Sequence, residues 1–185
     1  YTESSKLKVG YKFGLEFLNS KNGRKFVSNL KNKIIFGDYK LADIPKTCMS
    51  AIKAVKDLKL NYITIHISSG LNAIKAAKKV AGSTKVIGVT ILTSLDNRSL
   101  KEIGFDKKVG KLVLHQARLA AKAKLDAIVC SPHEVKIVKK VFKGEIITPG
   151  IRLPNDKKSD QKRVMTPKQA FKNGADVLVI GRSIT

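Results

Sequence analysis

Runs rich in Val and Ile recur along this chain, and between them apolar residues fall three and four positions apart. The runs at 6–13, 33–40, 61–67, 85–92, 125–131, 145–150 and 176–182 read as strands. Most are apolar almost throughout rather than alternating, which is the pattern of strands buried on both faces of a parallel sheet. The stretches 46–59, 69–81, 108–124 and 132–141 carry their apolar residues at helical spacing. Thr166 followed by Pro167 predicts a helix start, a capping hydroxyl and then Pro at the first helical position, and Gly174 suits its stop.

Strands alternating with helices predict an α/β fold with a parallel sheet. A doubly wound sheet usually carries a Gly-rich turn after its first strand, and none stands here. Polar side chains instead close several different strands: Lys12, Asp38 and Lys40, His66, Thr93 and Ser94, Arg152, and Arg182. A (β/α)8 TIM barrel collects its active site in that way from many strand ends. Seven of its eight strands are recognisable in the chain.

Length and composition narrow the picture. The 185 residues suit one core and one domain spanning 1–185, and no apolar run has the roughly 20 residues of a membrane span. Cys48 and Cys130 form no Cys-x-x-Cys pair, which fits free thiols in a reducing cytoplasm. The net charge of +23 raises the question of nucleic acid. The lysines are spread over nearly every helical segment, however, and no zinc-finger spacing or RNP-like aromatic pattern joins them. Helix faces turned to solvent account for them more simply. The positive field favours small anionic substrates, phosphorylated ones included, over polynucleotides.

The chemistry concentrates in Asp38-Tyr39-Lys40-Leu41-Ala42-Asp43-Ile44-Pro45-Lys46-Thr47, directly after an apolar run. Residues two apart on a strand face the same side, so Asp38 and Lys40 are expected to project together. Asp43 follows in a turn stiffened by Pro45. An exposed ion-pair cluster is the bland alternative; the preceding apolar run and the Pro turn favour polar catalysis.

Asp38-x-Lys40-x-x-Asp43-Ile44-Pro45-x-Thr47 resembles the signature of the orotidine 5′-phosphate decarboxylases of bacterial type, which make UMP in the last step of pyrimidine synthesis. Other segments agree in order: Tyr11 to Glu16, Thr90 to Ser94, Thr148 to Arg152, Asp160 to Pro167, and Gly181 to Thr185. The resemblance runs over essentially the whole chain. Lys46 stands where the family usually has Asn, and Gly37 where a bulkier apolar residue is common. The family also has a strand ahead of the first one here and a helix after the last, so the resemblance implies a barrel truncated at both ends. Its unpaired strand edges would be an aggregation liability, and these residues alone are expected to fold poorly or assemble abnormally.

The resemblance implies decarboxylation without metal or organic cofactor. Lys40 would be the cation and proton donor at C6, Asp38 would lie beside the substrate carboxylate, and Asp43 would complete the charged network. Lys12 would bind the ribose, and Thr93 and Ser94 would approach the pyrimidine. Arg152, Gln161 and Arg182 would hold the phosphate, with Gly181 letting the backbone come close, and the loop 151–163 has the length of a lid. Asp43 and Thr47 would reach a neighbouring subunit's site, implying a homodimer. His66, His115 and His133 lack metal-ligand spacing and read as structural, and Cys130 reads as a buried apolar side chain. A sugar-phosphate decarboxylase or aldolase of the same superfamily would share Asp38, Lys40 and Asp43 but fits the Arg152, Gln161 and Arg182 set poorly. A non-catalytic remnant is the reading of a different class, and the intact Asp38, Lys40, Asp43 and Thr47 weigh against it.

Overall fold

In the computed structural model, residues 9–153, 164–181, 183 and 184 are described. Seven strands form one sheet: β1 (Gly10–Phe13), β2 (Ile34–Leu41), β3 (Tyr62–His66), β4 (Lys85–Val89), β5 (Ala127–Val129), β6 (Glu145–Thr148) and β7 (Val177–Leu178). They lie in sequence order, and every adjacent pair is parallel. Parallel neighbours need crossovers. Here the helices supply them: α1 (Leu15–Asn19) and α2 (Gly23–Asn29), α3 (Pro45–Ala54), α4 (Leu71–Val80), α5 (Asn97–Glu102) and α6 (Val109–Lys122), α7 (Val135–Lys139), and α8 (Pro167–Asn173).

Local chemistry sets several of these boundaries. Pro45 opens α3, where its fixed φ and missing N–H cost nothing. Thr166 and Gln169 cap α8 reciprocally, and Gly174 ends it in a left-handed conformation at φ 99°. The expected helix start at Thr166-Pro167 and its stop at Gly174 both stand. Asp96 caps α5 by accepting from the Ser99 amide. The helices α1, α2 and α5 lie outside the stretches that the sequence pattern predicts as helical.

The sheet has two apolar faces. On one, Ile63 and Ile65 of β3, Val86 of β4, Ile128 of β5 and Ile146 of β6 pack with Ile52, Ile74, Val113 and Val138 of the helices. On the other, Phe36, Ile87, Ala127 and Ile147 cluster with Tyr62, Val129 and Val179. The second cluster spans β2 to beyond β7, so the sheet must curl round it. A hydrogen bond decides the point: Tyr62 on β3 donates through its hydroxyl to Glu145 on β6 at 3.0 Å. Strands three places apart in a flat sheet lie too far apart for that. The fold is TIM-barrel-like α/β; among the described residues the sheet has seven strands, and the outer edges of β1 and β7 do not pair.

Two further expectations meet the structure here. Lys111, Arg118 and Lys122 of α6, and Lys136 and Lys139 of α7, are exposed, so this part of the charge sits on helix faces turned to solvent. Among the described residues no helix is long and apolar enough to cross a membrane.

Candidate active site

The pairing of β2 with β3 is broken at the centre of the charged motif. Phe36 and Gly37 pair with Tyr62 and Ile63, but the next pair is Leu41 with Ile65. Asp38, Tyr39 and Lys40 therefore stand opposite Thr64 alone, a bulge that re-aims the strand's side chains. Lys40 takes a left-handed backbone at φ 48°. Its amide donates to Thr64 Oγ1 at 2.7 Å, while the same hydroxyl donates to Asp38 Oδ1 at 3.1 Å.

The other carboxylate oxygen of Asp38 is shared by two ammonium groups. Lys40 Nζ lies 2.7 Å from Oδ2, and Lys12 Nζ reaches it from β1 at 2.9 Å. Burial alone would raise the Asp38 pKa, but hydrogen bonds and charge from Lys40 and Lys12 outweigh it and hold the carboxyl below its ordinary 3.8. Asp38 is thus an anion at neutral pH. Burial, followed by the charge of Lys40, pushes the His66 imidazole below 6.5 against the pull of Asp38, so this ring is neutral there.

This cluster opens on a cavity of about 390 Å³, within the range of small-molecule sites. Its walls are largely apolar: Phe36, Val89, Ile91, Val129, Pro149 and Val179. Lys12, Asp38 and Lys40 line it from β1 and β2, Thr93 from the loop after β4, and Arg152 and Gly181 from the segments after β6 and β7. All these positions lie in the C-terminal halves of their strands or just beyond them, the face where barrels carry their chemistry.

Arg152 is buried to 9% exposure, and its backbone is pinned by a bridge between Ile151 and Met165. Its Nη1 donates to the Ile151 carbonyl at 2.9 Å, whereas Nη2 has no partner among the described residues. A buried guanidinium nitrogen without an acceptor is costly, and an anion in the cavity would relieve it. A Cβ at Gly181 would meet nothing within 4 Å among the described residues, so bare backbone is open to the cavity there. The arrangement offers a charged triad for chemistry and a cationic corner for an anionic group.

Residues 4–185 match the family described as Orotidine 5′-phosphate decarboxylase / HUMPS family. The chain belongs to this family. It is 43% identical over 189 residues to the orotidine 5′-phosphate decarboxylase of Coxiella burnetii (strain RSA 331 / Henzerling II), covering 97% of this chain and 78% of that protein. The enzyme of the same name from Sphingopyxis alaskensis is 44% identical over 180 residues, with 95% and 80% covered. The crystal structure of orotidine 5′-phosphate decarboxylase from Lactobacillus acidophilus superposes with a TM-score of 0.78 at 32% identity, covering 94% of this chain and 79% of that one.

Against the decarboxylase signature, the fold brings Lys12, Asp38, Lys40, Thr93, Arg152 and Gly181 to one cavity. Asp43, Thr47 and Ser94 are exposed and do not line it. Asp43 accepts from the Ile44 amide at 2.7 Å, and its carbonyl accepts from Cys48 Sγ at 3.2 Å, which shapes the entry to α3. Gln161 and Arg182, and most of the loop 151–163, lie outside the described residues. Thr64 was not singled out from the sequence. A lone hydroxyl within the apolar run Tyr62-Ile63-Thr64-Ile65 was the available signal, and it is now seen to bridge Asp38 and Lys40. Cys130 is buried and forms part of the cavity wall.

Proposed function

We propose that this chain decarboxylates orotidine 5′-phosphate to UMP in pyrimidine biosynthesis, using its own side chains and no metal or organic cofactor. The observation that carries this reading is Lys40 Nζ held 2.7 Å from a buried, ionised Asp38 at the mouth of an apolar cavity. The names of its relatives support the same substrate.

In this mechanism the bond from C6 of the pyrimidine to its carboxylate breaks, CO2 leaves, and the electron pair stays on C6. Catalysis rests on stabilising that developing charge more than the bound substrate. The Lys40 ammonium faces C6 and then gives it a proton; Lys40 regains one from solvent. Asp38 keeps Lys40 protonated and in place, and it lies beside the substrate carboxylate. Lys12 binds the ribose and the same Asp38 oxygen. Thr93 approaches the pyrimidine, with Ser94 next to it. Arg152 and Gly181 hold the 5′-phosphate, an assignment that extends by resemblance to Gln161 and Arg182. Arg suits this role because its planar fork matches phosphate oxygens.

A homodimer belongs to this reading, with Asp43 and Thr47 completing the partner's site. Support comes from their exposure and from Ile44 between them, which leaves 64% of its surface open. A cytoplasmic location also belongs to it, supported by Cys48 and Cys130, both buried and outside any disulfide.

The test is the ultraviolet absorbance change on adding orotidine 5′-phosphate without metal, with Lys40→Ala as the blank. Turnover that disappears in the variant is the expected result. A folded protein with no turnover would overturn the proposal.

A further inference from the structure

The bulge in β2 leaves the Lys40 amide without a ladder partner and puts Lys40 at φ 48°, a conformation that residues with long side chains rarely adopt. Something outside the sheet ladder must hold it. Thr64 is 1% exposed and faces the bulge from β3. Its hydroxyl uses both of its capacities, accepting from the Lys40 amide at 2.7 Å and donating to Asp38 Oδ1 at 3.1 Å. It is not part of the cavity lining.

We propose that Thr64 is a positioning residue for the reaction: its single hydroxyl locks the backbone of Lys40 and the carboxylate of Asp38 in one geometry. Asp38 has two oxygens; Oδ2 takes the two ammonium groups and Oδ1 takes Thr64, so the carboxylate plane is fixed on both sides. The Lys40 side chain hangs from a backbone whose amide is tied to the same hydroxyl. Without the hydroxyl the bulge is free to relax, and Nζ loses its set position even though every charged group remains. A misplacement of this kind lowers the rate of the chemical step while leaving binding intact.

The inference rests on the decarboxylase reading, and its test separates the two. Thr64→Val keeps the shape and removes both hydrogen bonds; Thr64→Ser keeps the hydroxyl. The expected result for Thr64→Val is a kcat lower by roughly tenfold to a hundredfold, from displaced reacting groups. KM and the calorimetric Kd for UMP should stay within about twofold, because Thr64 itself does not line the cavity. Thr64→Ser should recover most of the lost kcat. A Thr64→Val kcat within about twofold of the unaltered protein, or an equal loss in Thr64→Ser, would overturn the proposal. If Thr64→Val does not fold, Thr64→Ala against Thr64→Ser isolates the hydroxyl in the same way. The crystal structure of the Val or Ala variant gives a readout independent of activity. A Lys40 Nζ displaced from Asp38 supports the positioning role, and an unchanged pair overturns it. No turnover by the unaltered chain refutes the decarboxylase reading, and the structural comparison still decides the role of Thr64.

Discussion

Lys40 and Asp38 stand two residues apart on β2 and meet at 2.7 Å, yet the strand between them is not regular. Lys12 shares the same oxygen at 2.9 Å, so one carboxylate oxygen bridges two ammonium groups. Asp38→Asn should therefore leave Lys12 and Lys40 repelling each other. We expect kcat to fall by about a hundredfold or more and stability to fall by about 1–3 kcal/mol, the low end reflecting the partial exposure of both lysines. Steady-state kinetics and urea unfolding check both; a fully active variant would remove Asp38 from the catalytic cluster.

The cationic corner predicts a different signature. Arg152→Ala removes a buried guanidinium whose Nη2 has no acceptor among the described residues. On the proposed phosphate role, kcat/KM should fall roughly tenfold to a hundredfold, the range of a charge-assisted hydrogen bond. Gly181→Ala meets no neighbour within 4 Å among the described residues, so its melting temperature should hold while KM rises about tenfold through crowding of the phosphate. An unchanged KM in both variants would place the phosphate elsewhere.

Two groups contribute to the acid side of the stability profile, one starting below 6.5 and the other below 3.8. His66 has its pKa lowered from 6.5, so the unfolded chain binds its proton more readily; stability should decline as pH falls below 6.5 through the depressed value. Asp38 has its pKa lowered from 3.8, so its stabilising contribution is full above 3.8 and is lost as pH falls through the folded value. Denaturant melts between pH 7 and pH 3 should show His66→Gln flattening the upper window alone. A His66→Gln profile that parallels the unaltered protein would exclude His66 as the source.

At the opposite, N-terminal mouth of the strands, Tyr62, Lys85 and Glu145 form a polar group that ties β3 and β4 to β6. Barrels place stability at this end and chemistry at the other. Tyr62→Phe loses the 3.0 Å bond to Glu145 and should cost about 1 kcal/mol. Its kcat should not change. A large fall in kcat with unchanged stability would contradict the division between the two ends.

Much of this protein was legible in its residues. The near-continuous apolar runs determined parallel strands that are buried from β2 to β6, because only strands covered on both faces tolerate such composition, whereas β1 and β7 are largely exposed. The capping chemistry at Thr166-Pro167 and Gly174 determined the bounds of α8, because these are interactions within one turn. The spacing of Asp38, Lys40 and Asp43 was enough to mark the chemistry, although alternation along a regular strand was the wrong reason for Asp38 and Lys40 to meet.

What tertiary structure decided depends on pairing between distant segments. The bulge exists only because β2 and β3 fall out of register between Gly37 and Leu41, and no local pattern announces that. Thr64 acquires its role from the same mismatch. The run at 85–92 was read as one strand, but only Lys85–Val89 pairs, because Ile91, Leu92 and Thr93 turn to line the cavity. Asp43 and Thr47 belong to the signature yet are exposed and do not line the cavity, because they lie beyond the end of β2, in the turn and the first turn of α3. Sequence determines which side chains are available and what local structure each favours; register and curvature, which arise from contacts across the whole sheet, decide which of them meet.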